Sequence, residues 1–398
     1  MLTSAEATAT TVADVLRKFA PDYIAKYRDR MPPHHRKVLK LITRCKTGEL
    51  GNLIYCCQSC RARHWVGRSC GNRHCPNCQK EKTQDWLAKQ TSKLLPVQHF
   101  VVTFTVPEEL RSLLRQHPEI GYEAIFAAGS ETIRTLLKKP KNLGSEKIGF
   151  FGVLHTWGRD LKSYHPHVHF VVPGGGISPD GSEWLQTKQD KLFHPLPAKQ
   201  LYKKLFVDAI RKAGLYNHLP PGVLKYDWVV NIRPVGNGEA VLKYLAPYVY
   251  RIAICDNRIL SVDDHEVEYL VKPSGKHSYV TRRLNGESFV RAFAQHILPP
   301  GFRKLRYYGF MSANCKLQLA DARWLVWMWL GWCYNLAIQT APPQPIKRPP
   351  PPCKHCGGDV ELTGFTNGLG EWLWKCPNVT RGPPPTLVPA SQRETTEA

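Results

Sequence analysis

Apolar positions near the start of the chain recur at helical spacing, with Val12, Val15, Leu16 and Phe19 followed by Ile24 and Tyr27 and then by Val38, Leu39 and Ile42. This predicts a small helical lead-in, broken by Pro21 and by Pro32-Pro33. Periodicity is lost from Cys45 to Cys78, and a polar, lysine-bearing helix leads out of that stretch over residues 79–95. His99–Val106 is β-branched and aromatic, alternates, and stops at Pro107, so it reads as a strand. Residues 108–138 read as helix, and residues 149–157 and 165–172 read as consecutive strands joined by a polar turn, an antiparallel pair with the second on an inner position. Further along, residues 197–213 carry helical spacing, 226–233 read as strand, and 239–251 as a helix that Pro247 kinks. Strands at 252–262 and 266–271, a helix at 288–297 and a basic mixed segment at 302–311 follow.

The apolar run Trp324 to Ile338 is interrupted by Gly331 and Asn335. It falls short of the roughly 20 residues that cross a bilayer and reads as a packed helix. Residues 341–352 form a polyproline spacer, and residues 377–398, rich in Pro, Thr and Ser, read as disordered. The expected modules are a helical lead-in (1–44), a cysteine-rich recognition module (45–95), the strand-bearing core (96–312), the Trp-rich helix (313–340) and a proline-linked tail (341–398).

Strand alternation points His165, His167 and His169 to one face. A lone histidine is ordinarily a half-exposed strand residue. Three together make a platform for a divalent metal, which a phosphoryl-transfer site uses to polarise the scissile phosphate. Tyr244 and Tyr248, spaced i, i+4, would share one side of a helix. Aromatic pairs of this kind mainly pack, yet beside a metal platform a tyrosine can act as a covalent nucleophile. Its ordinary pKa near 10 calls for cations nearby, and Lys243 and Arg251 flank the pair.

Charge adds a partner. Lys plus Arg number 55 against 32 Asp plus Glu, a net +23 with a pI near 9.5, which favours nucleic acid. The basic residues are spread through the chain and not set beside a spanning or amphipathic helix, so neither a membrane nor a small-molecule substrate is expected. The amino terminus lacks a basic stretch followed by an apolar one, which predicts a cytoplasmic protein in a reducing compartment. There the 13 cysteines argue for zinc before disulfides. Cys57-Gln-Ser-Cys60 and Cys75-Pro-Asn-Cys78, fourteen residues apart, match a tetrathiolate zinc site, with Cys56, Cys70 and His74 as further candidates. Arg61, Arg63, Arg68 and Arg73 are interleaved with His64 and Trp65, a mixture suited to phosphate contact and base stacking. Cys353-Lys-His-Cys356 and Cys376 look like a partial second ribbon lacking a fourth ligand.

At these residues the chain resembles the two-tyrosine rolling-circle insertion-sequence transposases, of the insertion-sequence-ninety-one type, within the wider His-hydrophobe-His nuclease superfamily. The similarity runs from about Cys45 to Met311. The string Ser69-Cys-Gly-Asn-Arg-His-Cys-Pro-Asn-Cys78 resembles the family's zinc module, His167-Val-His169 its metal strand, Tyr244 and Tyr248 its paired nucleophiles, and Leu298 to Phe310 a later basic segment. The resemblance implies an α+β fold, with a central antiparallel sheet flanked by helices, a small amino-terminal zinc module and helical additions. It also implies Mg or Mn at the catalytic site, structural Zn, and single-stranded DNA as substrate. One tyrosine would cut an element end, leaving a 5′-phosphotyrosine and a free 3′-hydroxyl; the second would permit strand transfer. Only His167 and His169 are fixed as ligands by the resemblance, which leaves the third to His165 or His155. Pro247 and Tyr250 depart from the family's pattern around the nucleophiles. A replication initiator or relaxase shares this chemistry, and a non-catalytic zinc-containing DNA binder is the alternative of another class.

Overall fold

Thr11 and Asp14 exchange hydrogen bonds between side chain and backbone, a capping box that starts the first helix, α1 (Val12–Tyr27). The computed structural model describes residues 10–158, 160–188, 190–250, 254–273, 278–331, 350 and 352–376, apart from the side chains of residues 80, 81, 241, 244, 245, 247, 248 and 250. The chain divides into two units, residues 1–79 with 345–398, and residues 80–344.

In the first unit α1 runs unbroken through Pro21, contrary to expectation. Its buried stripe, Val12, Val15, Leu16, Ala20 and Ile24, continues on both sides of the proline. Packing of that stripe offsets the one backbone hydrogen bond that proline removes. Pro32-Pro33 does separate the helices, because Pro33 occupies the first turn of α2 (Pro33–Thr43), where a missing N–H costs little. The helices pack on each other, and Arg17 reaches from α1 to the carbonyls of Thr43 and Cys45. The lead-in is therefore one body with the cysteine-rich stretch. Strands β1 (Asn52–Cys57) and β2 (Arg63–Gly67) then form an antiparallel hairpin, and α3 (Pro76–Thr91) carries the chain into the second unit.

The second unit begins with β3 (His99–Thr105), a short α4 (Arg111–Gln116) and α5 (Pro118–Leu137), with Pro118 dividing the single helix expected over 108–138. Next come β4 (Gly149–Trp157), β5 (Tyr164–Pro173), the small hairpin β6 (Gly175–Ile177) with β7 (Trp184–Gln186), α6 (Pro195–Lys212), β8 (Val229–Pro234) and α7 (Glu239–Tyr250). Helix α7 continues across Pro247. Three strands, β9 (Ile259–Val262), β10 (Glu266–Val271) and β11 (Val280–Asn285), make a separate sheet that leads into α8 (Gly286–Ala294). The chain returns to the main sheet as β12 (Leu305–Gly309) and ends this unit in α9 (Leu319–Leu330). The strand expected from residue 252 begins only at Ile259, and residues 251–253 lie outside the described residues.

The main sheet has five strands in the order β12-β4-β5-β3-β8, every neighbouring pair antiparallel. It is the central antiparallel sheet of an α+β fold, with β5 on an inner position. On one face Phe104, Phe150, Val168 and Phe170 pack against Ile125, Phe126 and Ile133 of α5 and Tyr202 and Phe206 of α6. A Cβ on Gly129 of α5 would come within 2.7 Å of the Phe170 ring, so the glycine lets helix and sheet close up. The opposite face carries Phe151 and Val153 of β4 and Val171 of β5, covered by Leu242, Ala246 and Val249 of α7 and by Ala322 and Val326 of α9. Trp324 and Trp329 of α9 are about half exposed, at 48% each, while Ala322 and Val326 are buried and Leu325 and Leu330 pack partly buried against the same cluster. The remainder of that expected helix, residues 332–338, lies outside the described residues, as do the tail 377–398 and all of the spacer except Pro350 and Pro352. No helix among the described residues is long and apolar enough to cross a membrane.

The described tail residues belong to the first unit. Strand β13 (Val360–Thr366) pairs antiparallel with the free edge of β1, and β14 (Trp372–Lys375) pairs with β13, giving a four-stranded sheet in the order β14-β13-β1-β2. The division into a module at 45–95 and a separate tail at 341–398 is thus replaced by one body built from both ends of the chain. The physical reason is the edge of β1, whose backbone groups gain partners when β13 covers them.

Two buried imidazoles of the second unit make its stability sensitive to acid. Burial pushes His99 and His296 down to about 4 from the ordinary 6.5. The unfolded chain therefore takes up protons first as pH falls. Stability is fully present above about pH 6.5 and is lost towards pH 4, by about 3 kcal/mol per imidazole. Denaturant midpoints measured at pH 7.5 and pH 4.5 are expected to fall further for the native chain than for His296→Gln, and equal falls would refute the assignment.

Candidate functional site

Antiparallel register brings three histidines together. His155 of β4 lies directly opposite His167 of β5, and His169 lies opposite Thr103 of β3. Partners across a pleated sheet share a face, so this is the face of Phe151, Val153 and Val171. The rings of His155, His167 and His169 form a triangle with centroid separations of 5.1, 4.8 and 4.7 Å. One ligand nitrogen from each can be drawn from a set lying within 4.8 Å of one another.

Two hydrogen bonds aim these rings. His167 Nδ1 lies 2.7 Å from the His165 carbonyl. A carbonyl only accepts, so Nδ1 carries the proton and Nε2 keeps the lone pair that a metal needs. Thr103 Oγ1 lies 2.8 Å from His169 Nδ1 and orients that ring, as donor or as acceptor. Burial pushes His167 well below 6.5, with His169 adding to the effect, and pushes His169 down to about 4 with help from the Arg233 guanidinium. Both are neutral near pH 7, the protonation state that coordinates metal. The donor set, three imidazoles on one sheet face, fits a divalent cation with open positions for substrate.

His165, expected in this set by alternation, is not in it. Burial, and then the Arg111 guanidinium 2.9 Å from its Nδ1, holds the imidazole below its usual range. The triangle is closed instead by His155, the other candidate. The signal that finds it is the pairing of two adjacent strands, which puts residue 155 across from residue 167; alternation within one strand cannot supply a ligand from another. Sequence reasoning also passed over Arg233 of β8. It is exposed, its neighbour Asn231 pairs with Thr103, and its own partner Val101 shares that face.

Residues 244 and 248 lie one turn apart in α7, whose buried Leu242, Ala246 and Val249 pack on the face that bears the histidines. The side chains of Tyr244 and Tyr248, and Arg251 as a whole, lie outside the described residues. Lys243 is exposed.

The four cysteines expected to form one zinc site are divided between two clusters. Cys75 and Cys78 join Cys45 and Cys70, while Cys57 and Cys60 join Cys353 and Cys356. Sequence spacing could not separate them, because Cys45 stood outside both C-x-x-C pairs. In the first cluster Cys78 Sγ lies 3.6 Å from the sulfurs of both Cys45 and Cys70, close to the edge of a tetrahedron with Zn–S near 2.3 Å. Hydrogen bonds from Cys45 and then Cys70 hold Cys78 far below the ordinary thiol range, so the cluster already favours a thiolate. Of the arginines assigned to DNA, Arg61 is exposed, Arg63 and Arg73 are half-buried, and Arg68 has a structural task. Its guanidinium stacks over Phe365 at 5.3 Å and donates to the Thr366 carbonyl at 3.0 Å, tying β13 to the hairpin.

Residues 149–318 match the family model described as a putative transposase, and residues 15–106 match the transposase zinc-binding domain. The chain is 36% identical to a putative transposase of Sinorhizobium fredii over 80% of its own length and 84% of that protein. It is 28% identical to the transposase for insertion sequence element IS801 of Pseudomonas savastanoi pv. phaseolicola, over 67% of its own length and 68% of that protein. No solved structure matches it significantly. The chain belongs to the insertion-sequence-ninety-one type of transposases, a family of DNA-cleaving enzymes with an amino-terminal zinc-binding domain.

Proposed function

We propose that this transposase cuts and rejoins single-stranded DNA at the ends of its element, with Tyr244 and Tyr248 as nucleophiles, in a rolling-circle-like reaction in the cytoplasm. The observation that carries the reading is the placement of His155, His167 and His169 on the sheet face that packs against α7. These three histidines would hold Mg or Mn. Bound there, the cation would polarise the scissile phosphate and offset charge in the transition state. The imidazoles, held by Thr103 and the His165 carbonyl, stay neutral and keep their geometry. Arg233, beside His169, and Arg111, beside His165, offer cations to the DNA backbone.

In the cutting step a tyrosine oxygen forms a bond to phosphorus, and the bond from phosphorus to the 3′-oxygen breaks. The products are a 5′-phosphotyrosine and a 3′-hydroxyl, which takes up the proton that the phenol gives away. Lys243 and Arg251 lower the cost of ionising a phenol whose ordinary pKa is near 10. The second tyrosine then accepts the other strand in transfer. Cys45, Cys70, Cys75 and Cys78 would hold zinc in the amino-terminal module, where Arg61, Arg63 and Arg73 contact DNA.

The test is nicking of an end-labelled single-stranded oligonucleotide containing an element end, with and without Mg or Mn. The native chain is expected to form a denaturant-resistant protein–DNA adduct, and the double variant Tyr244→Phe with Tyr248→Phe none. An adduct retained by the double variant would remove both residues from the reaction.

A further inference from the structure

Cys57 to Cys60 and Cys353 to Cys356 are nearly 300 residues apart and share a C-x-x-C spacing. They also share a backbone. Cys57 N–H donates to the Ala62 carbonyl at 2.9 Å and Arg61 N–H to the Cys57 carbonyl at 3.1 Å. At the other end of the chain Cys353 N–H donates to the Gly358 carbonyl at 2.8 Å and Gly357 N–H to the Cys353 carbonyl at 2.9 Å. In both loops the residue after the second cysteine is left-handed, Arg61 with φ 62° and Gly357 with φ 73°. For an arginine that conformation is uncommon, and here it turns the chain so that both sulfurs face one point.

The two loops meet. Cys57 Sγ lies 3.5 Å from Cys356 Sγ, and Cys60 Sγ lies 3.6 Å from Cys353 Sγ. All four sulfurs fall within 4.8 Å of one another. The surroundings suit thiolates. The backbone N–H of Cys60 points at Cys57 Sγ and that of His355 at Cys353 Sγ, each at 3.4 Å, and His64 Nε2 lies 3.2 Å from Cys353 Sγ. Such donors offset the surplus negative charge of four sulfurs around one dication. Pairing of β1 with β13 holds the loops in register, with Cys57 opposite Val360.

We infer that Cys57, Cys60, Cys353 and Cys356 bind a second zinc ion, which clasps the carboxy-terminal ribbon to the amino-terminal module. Neither family match reaches it as a whole, since one ends at residue 106 and the other at residue 318. The ion closes a loop of nearly 300 of the 398 residues, so the ribbon is part of the module and not an appendage. His64 is a positioning residue for Cys353. The inference stands apart from the tyrosine chemistry, and its test reads metal and thiols, not nicking.

The full chain, purified with zinc, is assayed for metal content and for alkylation by iodoacetamide, read by mass spectrometry of its peptides. With His155, His167 and His169 replaced by alanine, so that only the two thiol clusters are counted, two zinc ions per chain are expected. Cys60 and Cys356 are exposed, so burial alone would leave them reactive. They are nevertheless expected to resist alkylation together with Cys57 and Cys353 while zinc is bound, and to react once a chelator is added. Cys376, outside both clusters, is expected to react in either state. Cys353→Ser with Cys356→Ser is expected to lower the content to one ion, and Cys376→Ser to leave it at two. One ion in the chain without the three histidines, or alkylation of Cys356 as fast as Cys376 in the zinc-loaded native protein, would overturn the inference. The alkylation pattern of the native chain decides the matter even where the double variant does not fold.

Discussion

Replacing His155 by alanine is expected to lower metal-dependent nicking by roughly 100-fold or more, since losing even an outer-shell partner of a metal costs 10- to 100-fold. The ring completes the triangle with His167 and His169 from a different strand, and two imidazoles on β5 cannot enclose an ion from one side. His165→Ala is expected to stay within a few-fold of the native rate, because His165 faces Arg111 and its contribution to His167 is a backbone carbonyl that alanine keeps. The pair of variants separates a ligand set read from alternation from one read from strand pairing. Metal titrations of the nicking rate provide the measurement. A larger loss from His165→Ala than from His155→Ala would restore the first set.

Cys75→Ser is expected to unfold the first unit while leaving the second intact. Structural zinc in small modules supplies an apparent binding free energy on the order of 10 kcal/mol, comparable to the whole stability of a domain. Cys75 is buried in a cluster whose other sulfurs come from the end of α2, from the loop after β2 and from α3. Loss of the ion frees all three segments at once. Limited proteolysis is expected to cut the variant within residues 44–79 and to spare the five-stranded sheet; the same pattern should follow chelation of the native chain. Protection of that stretch in the variant would mean that α1, α2 and the second cysteine cluster hold the unit without this ion.

The strands that carry chemistry were legible because alternation is local. His99–Thr105, Gly149–Trp157 and Tyr164–Pro173 stand within a residue or so of where their patterns placed them. Pro21 misled because a proline's cost is local while the stripe that outweighs it, from Val12 to Ile24, packs on another helix. The structural task of Arg68, which the local pattern does not show, has a similar origin: its partner Phe365 lies 297 residues further along the chain.

The sequence by itself determined the central sheet's main strands, the helix that carries residues 244 and 248, the chemistry of clustered imidazoles and thiols, and the family. Each of these is written in neighbouring residues, through periodicity, spacing or a contiguous motif. Tertiary structure alone decided which groups form a set. It put His155 and not His165 beside His167 and His169, split one expected cysteine site into two, and brought the carboxy-terminal ribbon back to β1. A ligand set is a distance relation in space, and strand register or chain return fixes such distances between residues that the sequence leaves far apart.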